Sequence, residues 1–196
     1  MRAFKDYNQT QEYTEFQKLP AGAYEVELIR AEDSDKALCL LFDIKGGEFD
    51  SYFRKKLASD RAANFNNSKF GGVFRLWYPD GGQYDDQKKR RMKTALKLIT
   101  DENNLSIDFS QEWDGASLKG SRVGMIFRDN QWEYQGKTGF TAQPYTLISL
   151  ANLREGNFTV PEPKYLSKPQ SAPDYGYNGG GFGNGAPDLT DEDLPF

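Results

Sequence analysis

The chain has 196 residues, of which 37% are hydrophobic and 28% charged, and it contains no histidine and one cysteine. This length predicts one domain with appended segments, and the low apolar content indicates that part of the chain lies outside any packed core. The residue types present essentially exclude a structural zinc site and an internal disulfide, which fits a reducing cytoplasm. The N-terminal residues lack the apolar stretch of a secretory signal, and no apolar run is long enough to span a membrane.

The net charge of −4 is unevenly distributed along the chain. Residues 166–196 contain one lysine and five acidic side chains, so residues 1–165 are neutral, with 24 cationic and 24 anionic side chains. The acidic balance therefore belongs to the C-terminal segment and does not argue against nucleic-acid binding by the preceding domain.

The first two predicted elements are strands. Residues 22–31 (GAYEVELIRA) alternate apolar and polar side chains, as a half-buried strand does. Residues 36–47 (KALCLLFDIKGG) predict a second, more fully buried strand that ends at Gly46-Gly47, with Cys39 expected to be a small buried residue.

A third strand is predicted over residues 48–57 (EFDSYFRKKL), because these residues also alternate. One face would carry Phe49, Phe53 and Leu57. The other face would present aromatic and basic side chains to solvent, namely Tyr52, Arg54 and Lys56, with Lys55 at the rim and Arg61 just beyond. Single-stranded nucleic acid binds to such combinations of cations and stacking platforms, although a solvated strand face is the simpler alternative.

The middle of the chain adds an aromatic segment and a helix. Residues 72–82 (GVFRLWYPDGG) predict a short strand that ends at Pro-Asp-Gly-Gly. The side chains in or near it either form a mobile aromatic loop or belong in part to the core, namely Phe70, Phe74, Arg75, Trp77 and Tyr78. Residues 84–104 predict a helix whose apolar face carries Met92, Ala95, Leu96 and Ile99. Its first turns hold the basic block Lys88, Lys89, Arg90 and Arg91, which is either a solvated face or a phosphate contact.

The last predicted strands are residues 122–128, 131–137 and 139–154, with a turn at Asp129-Asn130. Trp132 and Tyr134 would share one strand face, and Pro144 marks an edge or an irregular segment. The order of elements predicts a mainly β protein, an OB-fold-like Greek-key barrel with one helix, over residues 1–160. Neither a catalytic set nor a cofactor motif is recognisable, so we expect a protein that is not an enzyme and needs no cofactor.

Residues 161–187 are rich in proline, glycine and asparagine, which predicts a flexible linker. The final segment, 188–196 (DLTDEDLPF), ends on an apolar pair beside acidic residues, a combination that suits docking into a pocket with a basic rim. The candidate docking residues are Asp191, Glu192, Asp193, Leu194, Pro195 and Phe196.

The segment DEDLPF resembles the acidic C-terminal tip of bacterial single-stranded-DNA-binding proteins, and the preceding linker is similar to theirs in composition. The segments LPAGAYEVELIRAE, FDIKGGEFDSYF, GGVFR and LREGNFTVPEPK resemble phage-encoded single-strand binders of Gram-positive hosts. The resemblance implies an OB-fold body that binds single-stranded DNA, and a tip that recruits replication, recombination and repair enzymes. It also implies a location in the host bacterial cytoplasm and leaves a homo-oligomer possible.

The candidate DNA-binding residues are Tyr52, Arg54, Lys55, Lys56, Arg61, Arg75, Trp77, Tyr78, Lys88, Lys89 and Trp132. We expect sequence-independent protection of single strands in phage replication or recombination. Two alternatives stay open: a protein that anneals strands or mediates recombination, and an adaptor that mimics the host tip and has little DNA affinity.

Overall fold

A computed structural model describes residues 16–63, 65 and 68–166. The strands are β1 (Gly22–Asp33), β2 (Ala37–Ile44), β3 (Val73–Trp77), β4 (Arg122–Tyr134) and β5 (Lys137–Ile148). The helices are α1 (Tyr52–Ala62), α2 (Asp85–Asn103) and α3 (Leu150–Glu155), with a 3-10 turn at Gly115–Leu118. The predicted tip, residues 188–196, and most of the predicted linker lie outside the described residues.

The strands form one antiparallel sheet in the order β3-β2-β1-β4-β5, so the prediction of a mainly β protein is confirmed. Alternate side chains of β1 and β2 enter the core, as do those of β4, and α2 packs Ala95, Leu96 and Ile99 against them. The predictions for β1, β2, β3 and α2 are confirmed to within a few residues. Cys39 is only half-buried, because it lies on the face of β2 opposite the core residues Leu38 and Leu40.

The predicted strand 48–57 is wrong, because helix α1 begins at Tyr52. Ser51, in the left-handed conformation, makes no side-chain cap. The buried Asp43 on β2 supplies the cap instead: Oδ1 accepts from the backbone N–H of Phe53 (2.9 Å) and Oδ2 from that of Arg54 (3.2 Å). A carboxylate at a helix N-terminus satisfies free N–H groups and interacts favourably with the helix dipole. The helix is therefore fixed by a residue of a neighbouring strand.

Tyr52 is consequently a core residue and not a stacking platform. Its side chain is 9% exposed, and its hydroxyl accepts a hydrogen bond from the backbone N–H of Leu19 (3.1 Å). Its ring packs against Phe16, with the ring centroids 5.2 Å apart. The predicted row of Tyr52, Arg54 and Lys56 on one strand face does not exist, since residues two apart on a helix point in different directions.

The predicted turn at Asp129-Asn130 is also wrong. Strand β4 continues through both residues to Tyr134, and the two-residue turn is Gln135-Gly136, with φ of 50° and 74°. A two-residue hairpin of this kind needs positive φ at both positions, which glycine adopts freely. Strand β5 lies at the edge of the sheet and shifts register next to Pro144, as predicted for an irregular edge segment.

The segment predicted to begin the linker at residue 161 still lies along β4. The backbone N–H of Lys164 donates to the carbonyl of Asp129, and the N–H of Gln131 donates to the carbonyl of Lys164, each at 2.8 Å. The described part of the chain ends at Leu166. No helix in the described part of the chain is long and apolar enough to cross a membrane.

Candidate nucleic-acid interface

The most distinctive surface is a hairpin that extends past the rest of the sheet. Strand β1 pairs with β4 only up to Phe127. Beyond it, Arg128–Tyr134 of β4 pair with Lys137–Gln143 of β5, and we call these two segments the arm. The segment around Lys164 covers part of the other edge of β4. Ala142 at the base of the arm still packs against the core, and beyond it both faces of the arm lie outside the core.

One face of the arm carries Arg128, Asn130, Trp132 and Tyr134, and we call it the outer face. Alternate residues of a strand share a face, and successive side chains in this row lie about 6.8 Å apart along β4. Trp132 is 39% exposed and Tyr134 67%. A Cβ atom on Gly139, the register partner of Trp132, would lie 2.6 Å from the indole, so the ring lies directly over this glycine. Lys137 is exposed opposite Tyr134 and adds a cation to the tip of the arm.

Arg128 is held in place at the base of the outer face. Its guanidinium carbon lies 4.8 Å from the ring centroid of Tyr145, and its Nε donates to Oδ1 of Asn130 (3.3 Å). Asn130 in turn donates from Nδ2 to Oε1 of Gln143 (2.7 Å). Tyr145 is the residue at which β5 shifts register and is 38% exposed. Arg128 is therefore pre-oriented and still partly open to a ligand, which lowers the entropy cost of binding one.

The basic block of α2 adjoins this position, and its members differ in role. The Nη2 of Arg91 donates to the backbone carbonyl of Tyr145 (2.8 Å), and its guanidinium carbon lies 5.7 Å from the ring centroid of Phe74. Lys88 pairs with Asp80 (2.7 Å), and this contact is the main reason why the pKa of the Asp80 carboxyl lies below its usual value. Lys89 and Arg90 are exposed, and the ion pairs found among the described residues do not include them. Lys89 and Arg90 are the members of the block most available to phosphates.

The cations of α1 lie apart from this surface and are partly engaged locally. Arg54 lies 3.6 Å from Asp43, Lys56 pairs with Asp60 (3.0 Å), and Nζ of Lys55 donates to the carbonyl of Asp50 (2.7 Å). Arg61 is exposed in the last turn of α1. Local partners do not prevent phosphate binding, but no aromatic row accompanies these cations as the prediction required.

Of the residues predicted on β3, Arg75 is exposed and lies opposite Cys39 in the register, on the face away from the core. Trp77 shares that face and is half-buried, whereas Phe74 belongs to the core. The hydroxyl of Tyr78 donates to Oδ1 of Asp33 (2.8 Å), and burial, followed by this bond, raises the pKa of Tyr78 to about 12. Tyr78, which follows β3, thus connects the end of that strand to the last residue of β1.

Two residues were not selected from the sequence, namely Arg128, which lies in the same row as Trp132, and Tyr145, which contacts Arg128. The signal for Arg128 was the two-residue spacing from Arg128 through Trp132 to Tyr134, which a turn at Asp129-Asn130 would interrupt. Among the residues that the structure describes, no cluster of acidic or cysteine side chains is placed to hold a metal ion.

Comparison of the chain with protein-family models gives no match, and comparison with curated protein sequences gives no significant match.

Proposed function

We propose that this protein binds single-stranded DNA without sequence preference, along the outer face of the arm, and that it acts in phage replication or recombination in the bacterial cytoplasm. The observation that carries the proposal is the row of Arg128, Trp132 and Tyr134, with Tyr145 beneath Arg128. Bases of every kind stack on exposed aromatic rings, and cations beside the rings bind the phosphates. Asn130, which lies in the row between Arg128 and Trp132, is hydrogen-bonded to Gln143 on the facing strand.

The topology supports a barrel of the OB type. The OB-fold is a five-stranded, partly open Greek-key barrel, and its β4–β5 loop is one of the places where it binds oligonucleotides. Here the strand order is β3-β2-β1-β4-β5, with α2 between β3 and β4 in the chain. The arm is the extended β4–β5 hairpin. Arg75 and Trp77 on β3 would form a second contact surface for a longer strand.

The sequence of the tip supports a second activity, recruitment of replication, recombination and repair enzymes. Asp191, Glu192 and Asp193 suit a basic rim, and Leu194 and Phe196 suit an apolar pocket beside it. Deleting Phe196 should abolish capture of such enzymes while leaving the affinity for DNA intact or slightly higher. Undiminished capture by the truncated chain would contradict the docking role.

The proposal for DNA is tested by titrating the full chain with fluorescently labelled oligo-dT at several salt concentrations. We expect binding at low salt that weakens steeply as salt rises, because bound phosphates release counterions. Failure to bind at low salt would refute the proposal. An annealing assay with complementary oligonucleotides then distinguishes protection of single strands from strand annealing.

A further inference from the structure

A cavity lies between α2 and the end of β5, outside the arm. Its volume is about 390 Å³, which lies within the usual range for small-ligand sites. The floor is apolar, formed by Phe74, Ala95, Leu98 and Leu147. The rim is polar and includes Arg90, Arg91 and Thr94 of α2 and Tyr145 of β5.

We propose that this cavity is a nucleotide subsite, in which one base of the bound strand enters the apolar floor and its phosphate contacts Arg90. This inference rests on the proposed function and extends it, because it assigns DNA contacts beyond the arm. Two features support the assignment. An apolar recess with a cationic rim complements a flat base joined to an anionic phosphate, and Arg90 is exposed and outside the ion pairs of the described residues.

The second feature is continuity with the arm. Tyr145 lines the cavity and also lies against the guanidinium of Arg128 at the base of the outer face. Arg91 fixes the geometry of this junction by its hydrogen bond to the Tyr145 carbonyl. A strand that leaves the outer face at Arg128 therefore meets the cavity next, and the binding path turns from the arm onto α2.

The test uses the full chain and a length series of labelled oligo-dT. Thr94→Trp places an indole in the cavity from an exposed helix position, and Thr94→Ala is the matched control that leaves the cavity open. We expect Thr94→Trp to reach its highest affinity at a shorter oligonucleotide than the wild type. On long oligonucleotides it should lose at least about fivefold in affinity, the lower end for one stacked base. Thr94→Ala should keep the wild-type length dependence.

A second variant tests the phosphate contact. Arg90→Ala should lower the slope of log affinity against log salt by about 0.7, the value for one phosphate on a single strand. Lys97→Ala, on the same helix but paired with Asp101, should leave that slope unchanged.

The inference is overturned if Thr94→Trp keeps the wild-type length dependence and Arg90→Ala behaves like Lys97→Ala. It is also overturned if Thr94→Trp blocks binding of a synthetic DLTDEDLPF peptide while leaving DNA binding unchanged, since the cavity would then be a peptide site. These outcomes differ from failure of the proposed function, in which the wild-type chain binds no oligonucleotide at all.

Discussion

If bases stack on the outer face of the arm, the double variant Trp132→Ala/Tyr134→Ala should bind single-stranded DNA much more weakly than the wild type. Each aromatic ring that stacks on a base contributes about 1–3 kcal/mol, so losing both should weaken binding by about 2–6 kcal/mol. Even the lower figure corresponds to roughly 30-fold in affinity. The substitutions change no charge, so the salt dependence of binding should stay the same while the affinity falls at every salt concentration.

The arm should survive these substitutions, because both side chains lie outside the core. Tyr134 is 67% exposed, and the packing that Trp132 loses is its contact with Gly139 on the facing strand. Such a cross-strand contact contributes about 0.2–1 kcal/mol to the free energy of unfolding, which is a melting shift of no more than about 4 °C. Thermal melting by circular dichroism checks this before any affinity is compared.

The assay is fluorescence anisotropy of labelled oligo-dT at four or more salt concentrations. Phe140→Ala is the matched control: Phe140 is also 39% exposed, but it pairs with Gln131 in the register and so lies on the opposite face of the arm. We expect no more than about a twofold change for this control. Equal losses in Phe140→Ala and in the double variant would refute the assignment of the outer face, as would unchanged affinity in the double variant.

Three further predictions concern stability. Asp43→Ala removes the cap of α1 and should cost about 2–3 kcal/mol, seen as a melting temperature about 5–10 °C lower, and unchanged melting would contradict the capping role. Tyr52→Phe leaves the backbone N–H of Leu19 buried without its partner and should lower the free energy of unfolding by about 1–3 kcal/mol, measured by chemical denaturation. The DNA affinity of the folded variant should be unchanged, and weaker DNA binding would show that Tyr52 belongs to the interface. The folded state favours the protonated phenol of Tyr78, so stability from this group is complete below its ordinary pKa of 10.0 and is lost as the pH rises towards about 12. Tyr78→Phe should therefore lose less stability than the wild type over that interval, and identical losses would show that folding does not raise the pKa of Tyr78.

The elements that the sequence predicted well are those whose pattern permits one interpretation. Strand β1 alternates from Tyr24 to Leu28, and α2 repeats apolar residues at helical spacing from Met92 to Ile99, about two turns. The pattern of residues 48–57 permitted two interpretations, a strand and a helix. Phe49, Phe53 and Leu57 are four residues apart, and a spacing of four places side chains on one face of a strand or of a helix. The deciding group, the carboxylate of Asp43, lies on another element, so no local pattern could reveal it.

Seven strands were predicted from the sequence, whereas the described part of the chain has five, because residues 48–57 lead into α1 and because 122–128 and 131–137 both belong to β4. The third strand of the structure is the aromatic segment around Phe74. The helix predicted over residues 84–104 is α2, which lies between β3 and β4 in the chain. The candidate DNA-binding residues of 48–57 were selected because they would share one strand face, whereas helix α1 does not place Tyr52, Arg54 and Lys56 on one face.

Core packing accounts for the aromatic residues of the sheet but not for the exposed aromatic residues of the arm. A ring in the sheet packs against the core, as Phe42 and Phe127 do, and its presence follows from packing alone. Trp132 and Tyr134 lie on a hairpin that has left the core, where exposed apolar surface promotes association and needs a separate reason. Their alternation with Arg128 and Asn130 keeps all four on one face, and hydrogen bonds from Arg128 to Asn130 and from Asn130 to Gln143 hold Arg128 at the base of that face. Stacked bases would cover the rings, and the phosphates of the same strand would meet Arg128, so one ligand accounts for both classes of side chain.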